Sequence, residues 1–195
     1  RDSGISLRPI YAGDLLNYAN PADPVALLKA ALVSKGFIPR GVSPEEKVAD
    51  ILAPLGRGIR LTTRTSIPRG SGLGTSSILA GAILYCLAGL FDQDLEQEQL
   101  FDEVLCLEQM ITTGGGWQDQ IGGLVGGIKL IRTEPGLPQR ADIEAVPLTP
   151  GLRAGLRERL VLIYTGQRRL AKNLLRRVMG RWMARDPEMV VIMHD

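Results

Sequence analysis

Apolar residues recur at two different periods along the chain, and the switches between them predict its elements. "GISLRPIYAG" (residues 4–13) alternates apolar and polar positions and predicts a strand, which "NYANPADP" breaks with Asn and Pro. "VALLKAALVSKGFI" places Val25, Leu28, Leu32 and Val33 at helical spacing and stops at Gly36. "GVSPEEKVADILAPLG" predicts a short helix with Ser43 as N-cap and Pro44 in its first turn. "GIRLTTRTSIP" sets Ile59, Leu61, Thr63, Thr65 and Ile67 against polar partners, the pattern of a half-buried strand ended by Pro68.

Residues 75–90 are apolar nearly all round, which predicts a buried helix. "DLEQEQLFDEVLCLEQMI" predicts an amphipathic helix with an acidic start, "GGIKLIR" a strand, and Leu160 to Tyr164 a second apolar strand. A basic helix, "RRLAKNLLRRVMGRWMARDP", follows. Strands interleaved with helices, without repeats, give an α+β or α/β architecture.

Three places carry candidate chemistry. The first is "PRGSGLGTSSILAGAIL", a glycine-rich turn from a strand into a helix, where backbone N–H groups converge as they do on a bound anion. Gly74 is followed by Thr75 rather than Lys, so it is not a Walker A loop. The G-x-G-x-G spacing of Gly70, Gly72 and Gly74 is not the dinucleotide fingerprint either. A tight turn with Thr or Ser capping a buried helix explains the glycines equally well. The second is Glu108, which shares the helical stripe of Phe101, Val104 and Ile111 and so faces the interior. A buried carboxylate needs a cation or hydrogen-bond donors; spacing alone favours an arginine pair over a metal. The third is Asp119, flanked by amides and enclosed by glycines in "GGGWQDQIGG". It suits a proton acceptor for a hydroxyl, and standing alone it suits a helix N-cap better.

The basic helix carries Arg168, Arg169, Lys172, Arg176, Arg177, Arg181 and Arg185 beside an apolar stripe. A solvated outer face on a helix packed against a sheet outweighs a calmodulin-target or nucleic-acid role. Arg169, just after the predicted strand end "YTG", is a candidate phosphate contact.

Composition narrows the rest. Of the 195 residues, 45% are hydrophobic and 23% charged, enough to build a sizeable core. Aromatics at 5% and a net charge of +2 argue against a nucleic-acid partner. Cys86 and Cys106 lie in apolar helical patterns where buried thiols are common, which suggests a reducing, cytoplasmic setting. No apolar run approaches a membrane span, and no secretory signal opens the chain. The chain starts without Met and stops within an apolar pattern, as a piece of something longer would.

Taken together, "PRGSGLGTSS", Glu108 and Asp119 change the weighting. The loop closely resembles the P-x-x-x-G-L-G-S-S motif of the GHMP small-molecule kinases, with Thr75 in place of its first serine. The eleven-residue separation of Glu108 from Asp119 matches that family's helix glutamate and loop aspartate. Within the family, "LEQMITTGGGWQDQIGGLVGGIKL" and "YTGQRRLAKNLL" look most like the fucose-phosphorylating members, with bacterial heptose-phosphate kinases next. The resemblance covers most of residues 60–180. It implies an α+β GHMP kinase fold: a ribosomal protein S5 domain 2-like N-terminal lobe over residues 1–150 and the start of a ferredoxin-like lobe over 151–195.

By this resemblance Arg69, Gly70, Ser71, Gly72, Leu73, Gly74, Thr75, Ser76 and Ser77 surround the ATP phosphates. Ser76 and Glu108 hold Mg²⁺, and Asp119 takes the proton of the sugar's anomeric hydroxyl. The implied partners are ATP and a small sugar, with L-fucose first, and neither nucleic acid nor membrane. The family's first and third motifs have no counterpart in the chain. A fragment inactive by itself, or a non-catalytic kinase-like binding module, therefore stands as the alternative.

Overall fold

In the computed structural model the described residues are 4–20, 22–67, 71–111, 116–136, 140–163 and 171–194, without the side chains of 171–176 and 194. Two units divide the chain, Arg1–Leu124 with Arg168–Asp195, and Val125–Gln167. In the larger unit the elements before the second glycine-rich segment are α1 (Gly13–Leu16), α2 (Ala26–Ser34), α3 (Val48–Leu52), α4 (Thr75–Gly89) and α5 (Gln97–Met110). Within and just after that segment comes α6 (Gln118–Leu124). The core lies where α2, α4 and α5 meet. Ala30, Ala31 and Phe37 pack there with Ala80, Ile83, Leu84 and Leu87 of α4 and Val104 and Leu107 of α5. On α5 Val104 is a stripe residue that the helical spacing predicts. On α2 the buried residues are Ala30 and Ala31, whereas the predicted Leu28 and Leu32 are only partly buried against the cluster. A smaller cluster of Ala12, Leu15, Val33, Ile38 and Val48 seats α1 and α3.

Helix α4 is buried on most of its circumference, but Tyr85 is exposed and both cysteines, Cys86 on α4 and Cys106 on α5, are also exposed. The expectation of buried thiols fails because each cysteine falls on the outward side of its helix. Helix α6 lies close against α4 because glycines line the contact. A Cβ built on Gly81 would come within 2.5 Å of Leu124 Cδ2, and one on Gly123 would run into Ile78. Gly81 on α4 and Gly123 on α6 are therefore what lets the two helices approach.

Three predicted elements come out differently. Residues 4–10 are irregular, with a single isolated bridge between Tyr11 and Lys47. Ser43 closes a turn instead of capping a helix: α3 starts only at Val48, with Lys47 as its N-cap. Residues 59–67 do alternate half-buried and exposed positions, yet no strand pairs with them among the described residues. The alternation fixes which side faces the core, whereas a ladder also needs a second strand.

A buried ion pair fastens the start of α2. Lys29 Nζ lies 2.6 Å from Asp23 Oδ2 and donates to Asn17 Oδ1. Burial pushes the Asp23 carboxyl up, but the Lys29 ammonium and the Val25 N–H outweigh it and leave the group below the usual carboxylate range. Its ionised form is thus favoured by folding, so its contribution is present above the unfolded value of about 3.9 and is lost as pH falls through the lower folded value. Asp23→Asn is expected to leave Lys29 buried without its counter-ion and to cost about 3–5 kcal/mol at neutral pH. Urea unfolding at a series of pH values checks this: the gap between wild type and variant should close below about pH 4.

In the smaller unit, β1 (Lys129–Thr133) is the predicted strand, and it pairs antiparallel with β2 (Ala141–Ala145), Ile131 opposite Ile143. Helix α7 (Pro150–Arg159) follows, capped by the Thr149 hydroxyl, which accepts from the Leu152 N–H. Residues 160–163 of the second predicted strand are not in a strand, and each is more than three-quarters exposed; Tyr164 lies outside the described residues. In the larger unit, α8 (Ala171–Met183) packs against α9 (Pro187–His194), and Arg181 bonds Asp186 and Glu188 at their junction. Met179 and Met183 on α8 are exposed.

Candidate functional site

The N-terminus of α4 is open. Gly74 occupies the N-cap position at φ +64°, and no side-chain hydrogen bond caps the helix among the described residues; the first N–H groups of a helix point along its axis as donors for an anion. Gly72 sits at φ +77°. Left-handed backbone at both positions explains why glycines flank Leu73. The hydroxyls of Ser71 and Thr75 are buried and have no hydrogen-bond partner among the described residues. Such groups are costly when unpaired.

Behind this terminus lies Glu108 of α5, 4% exposed. Its Oε1 accepts from the Ser77 hydroxyl at 2.7 Å and the Ser76 hydroxyl at 3.0 Å, and its Oε2 accepts from Gln120 Nε2 at 2.9 Å. Hydroxyls and an amide meet the carboxylate where spacing favoured an arginine. Burial pushes the Glu108 carboxyl above its ordinary value; the Ser77 and Ser76 donors oppose that, and the charge of Asp119 adds to it. Asp119 lies inside the first turn of α6 and is exposed, so it is not an N-cap. It lies beside the loop: a Cβ on Gly74 would sit 3.7 Å from the Asp119 carbonyl oxygen and 4.0 Å from its Cγ.

The fold thus gathers Gly72, Leu73, Gly74, Thr75, Ser76, Ser77, Glu108 and Asp119 around one helix terminus. Arg69, Gly70 and Arg169 lie outside the described residues. Gln120 is the site residue that the spacing did not single out; its signal was only the amide directly after Asp119. No group of three or more His, Cys, Asp or Glu side chains suited to a metal occurs among the described residues. A cage of that kind is not how Mg²⁺ is usually held, since one or two carboxylates and the phosphates of a substrate suffice.

Residues 45–127 match the family described as GHMP kinases N terminal domain. Over that segment the chain has the sequence of a GHMP kinase N-terminal domain. It is 42% identical over 164 residues to the bifunctional fucokinase/GDP-fucose pyrophosphorylase of Arabidopsis thaliana, and 37% identical over 194 residues to the L-fucokinase/L-fucose-1-P guanylyltransferase of Bacteroides fragilis. Those alignments take in 84% and 92% of this chain but only 14% and 20% of the relatives. No solved structure matches the chain. The resemblance read from the loop motif therefore holds, as GHMP and fucokinase-like. The α+β class holds for the chain in its coarse form, a mix of helices with one small antiparallel sheet among the described residues. No helix among them is long and apolar enough to cross a membrane.

Proposed function

We propose that the protein is part of an ATP- and Mg²⁺-dependent kinase that phosphorylates the anomeric hydroxyl of L-fucose. The observation that carries this is the buried Glu108 carboxylate held by two hydroxyls from the open N-terminus of α4, with Asp119 beside the same loop. The choice of L-fucose rests on similarity to two relatives whose names specify fucokinase.

The α4 N–H groups and the Ser71 and Thr75 hydroxyls suit the ATP phosphates. Ser76 and Glu108 offer hard oxygen donors of the kind Mg²⁺ takes. When bound, the ion neutralises charge on the transferring phosphoryl group. Asp119 accepts the hydroxyl proton as the sugar oxygen bonds to the γ-phosphorus and the bond from that phosphorus to the leaving ADP oxygen breaks. The glycines of the loop let the phosphates approach the backbone, and Arg69, Gly70 and Arg169 belong to the same reading.

Incubating the full-length protein with ATP, Mg²⁺ and a panel of free and phosphorylated sugars tests the proposal. L-Fucose 1-phosphate is the expected product. A product from a heptose phosphate instead would move the substrate assignment, and no transfer to any sugar would favour a non-catalytic binding module.

A further inference from the structure

Gln120 is fully buried, and its amide is only half used. Nε2 donates to Glu108 Oε2, while Oε1 is buried with no partner among the described residues. Burying an amide is unfavourable unless both ends are paired. An apolar side chain of the same volume, next to the buried Ile121, would serve packing alone better. The polar side chain therefore has another use, which its partner reveals. The last torsion of a glutamate is broad, so donors on one oxygen leave the carboxylate plane free to turn. Here the two oxygens are held from different helices: Oε1 by the α4 hydroxyls and Oε2 by the α6 amide. Gln120 also follows Asp119 directly on α6. One short helix, brought close by Gly81 and Gly123, thus sets both the Glu108 carboxylate and Asp119.

We infer that Gln120 is a positioning residue, which fixes the plane of the Glu108 carboxylate for a divalent cation and keeps Asp119 in register with it. This rests on the kinase reading above. A buried Oε1 without a partner among the described residues is the kind of local inconsistency that functional sites carry.

The test uses Gln120→Met, which keeps volume and removes the amide, and Gln120→Asn, whose shorter amide falls short of Glu108. Circular dichroism shows which of the two fold. Mn²⁺ binding to the full-length protein, in the presence of a non-hydrolysable ATP analogue, is followed by water-proton relaxation. Either folded variant is expected to bind Mn²⁺ about 10–100-fold more weakly, as when residues behind metal ligands are lost. The Mg²⁺ needed for half-maximal rate should rise in step, while the KM for the sugar stays put. Unchanged Mn²⁺ affinity, or a rise in the sugar KM of the same size, overturns the inference and leaves the kinase reading standing. If the unsubstituted protein binds no Mn²⁺ with nucleotide, both fall.

Discussion

Asp119→Asn is expected to lower kcat for sugar phosphorylation by about 10²–10⁴-fold, the range contributed by a positioned general base, while ATP binding is retained. The substitution is isosteric, and the side chain is exposed, so the packing of α6 on α4 does not depend on its charge. Phosphate binding is assigned to the α4 terminus and the loop hydroxyls, none of which Asp119 supplies. Asp119 does push the Glu108 carboxyl up. Removing that negative charge makes Glu108 easier to ionise, so metal binding should not be lost with the rate. Steady-state kinetics together with calorimetric titration of MgATP separates the two quantities. Turnover within a few-fold of wild type would remove Asp119 from the role of base.

How far the sequence could be read depended on what each pattern encodes. The Glu108 stripe was legible because helical spacing alone places a side chain inward. Its partners were not, because they come from two other helices and spacing within α5 is silent about them. Residues 59–67 show the same limit in a strand: the alternation of Ile59, Leu61 and Thr63 predicted the inward side, but pairing is a property of two segments. Helix α7 was hidden by Gly151 and Gly155 in "TPGLRAGLRER", which weaken a helical pattern, although Thr149-Pro150 is a start signal. Strand β2, "ADIEA", has one large apolar residue, so its alternation barely registers until β1 supplies the register. The glycines of the loop and of the two helices beside it meet two different needs. Gly72 and Gly74 supply left-handed backbone, whereas Gly81 and Gly123 supply room between helices.

Glu108→Gln should have two effects of opposite sign. In the metal-free protein it is expected to stabilise the fold by about 1 kcal/mol, the usual gain when a functional group is replaced by one that suits the fold better. Burial raises the Glu108 carboxyl, so between its ordinary and raised values the folded state holds more protons than the unfolded one. Stability therefore falls as pH rises through that window, and a neutral glutamine removes the loss. The amide can satisfy its surroundings: its oxygen accepts from Gln120 Nε2, and its NH₂ donates to the Ser76 and Ser77 hydroxyls, which accept as readily as they donate. A domain of this size should gain about 2–4 °C in Tm at neutral pH, and its stability should vary less across the mildly acidic range. Divalent-ion binding, by contrast, should fall beyond the roughly 10–100-fold typical of residues behind a ligand, because a neutral amide replaces the charged donor itself. Thermal scans without additions, with nucleotide alone and with nucleotide plus Mg²⁺ report both effects: the variant starts higher and gains nothing further when Mg²⁺ is added to the nucleotide, whereas the wild type starts lower and rises on that addition. A variant that still gains as much as wild type would take Glu108 out of the metal site, whatever its stability.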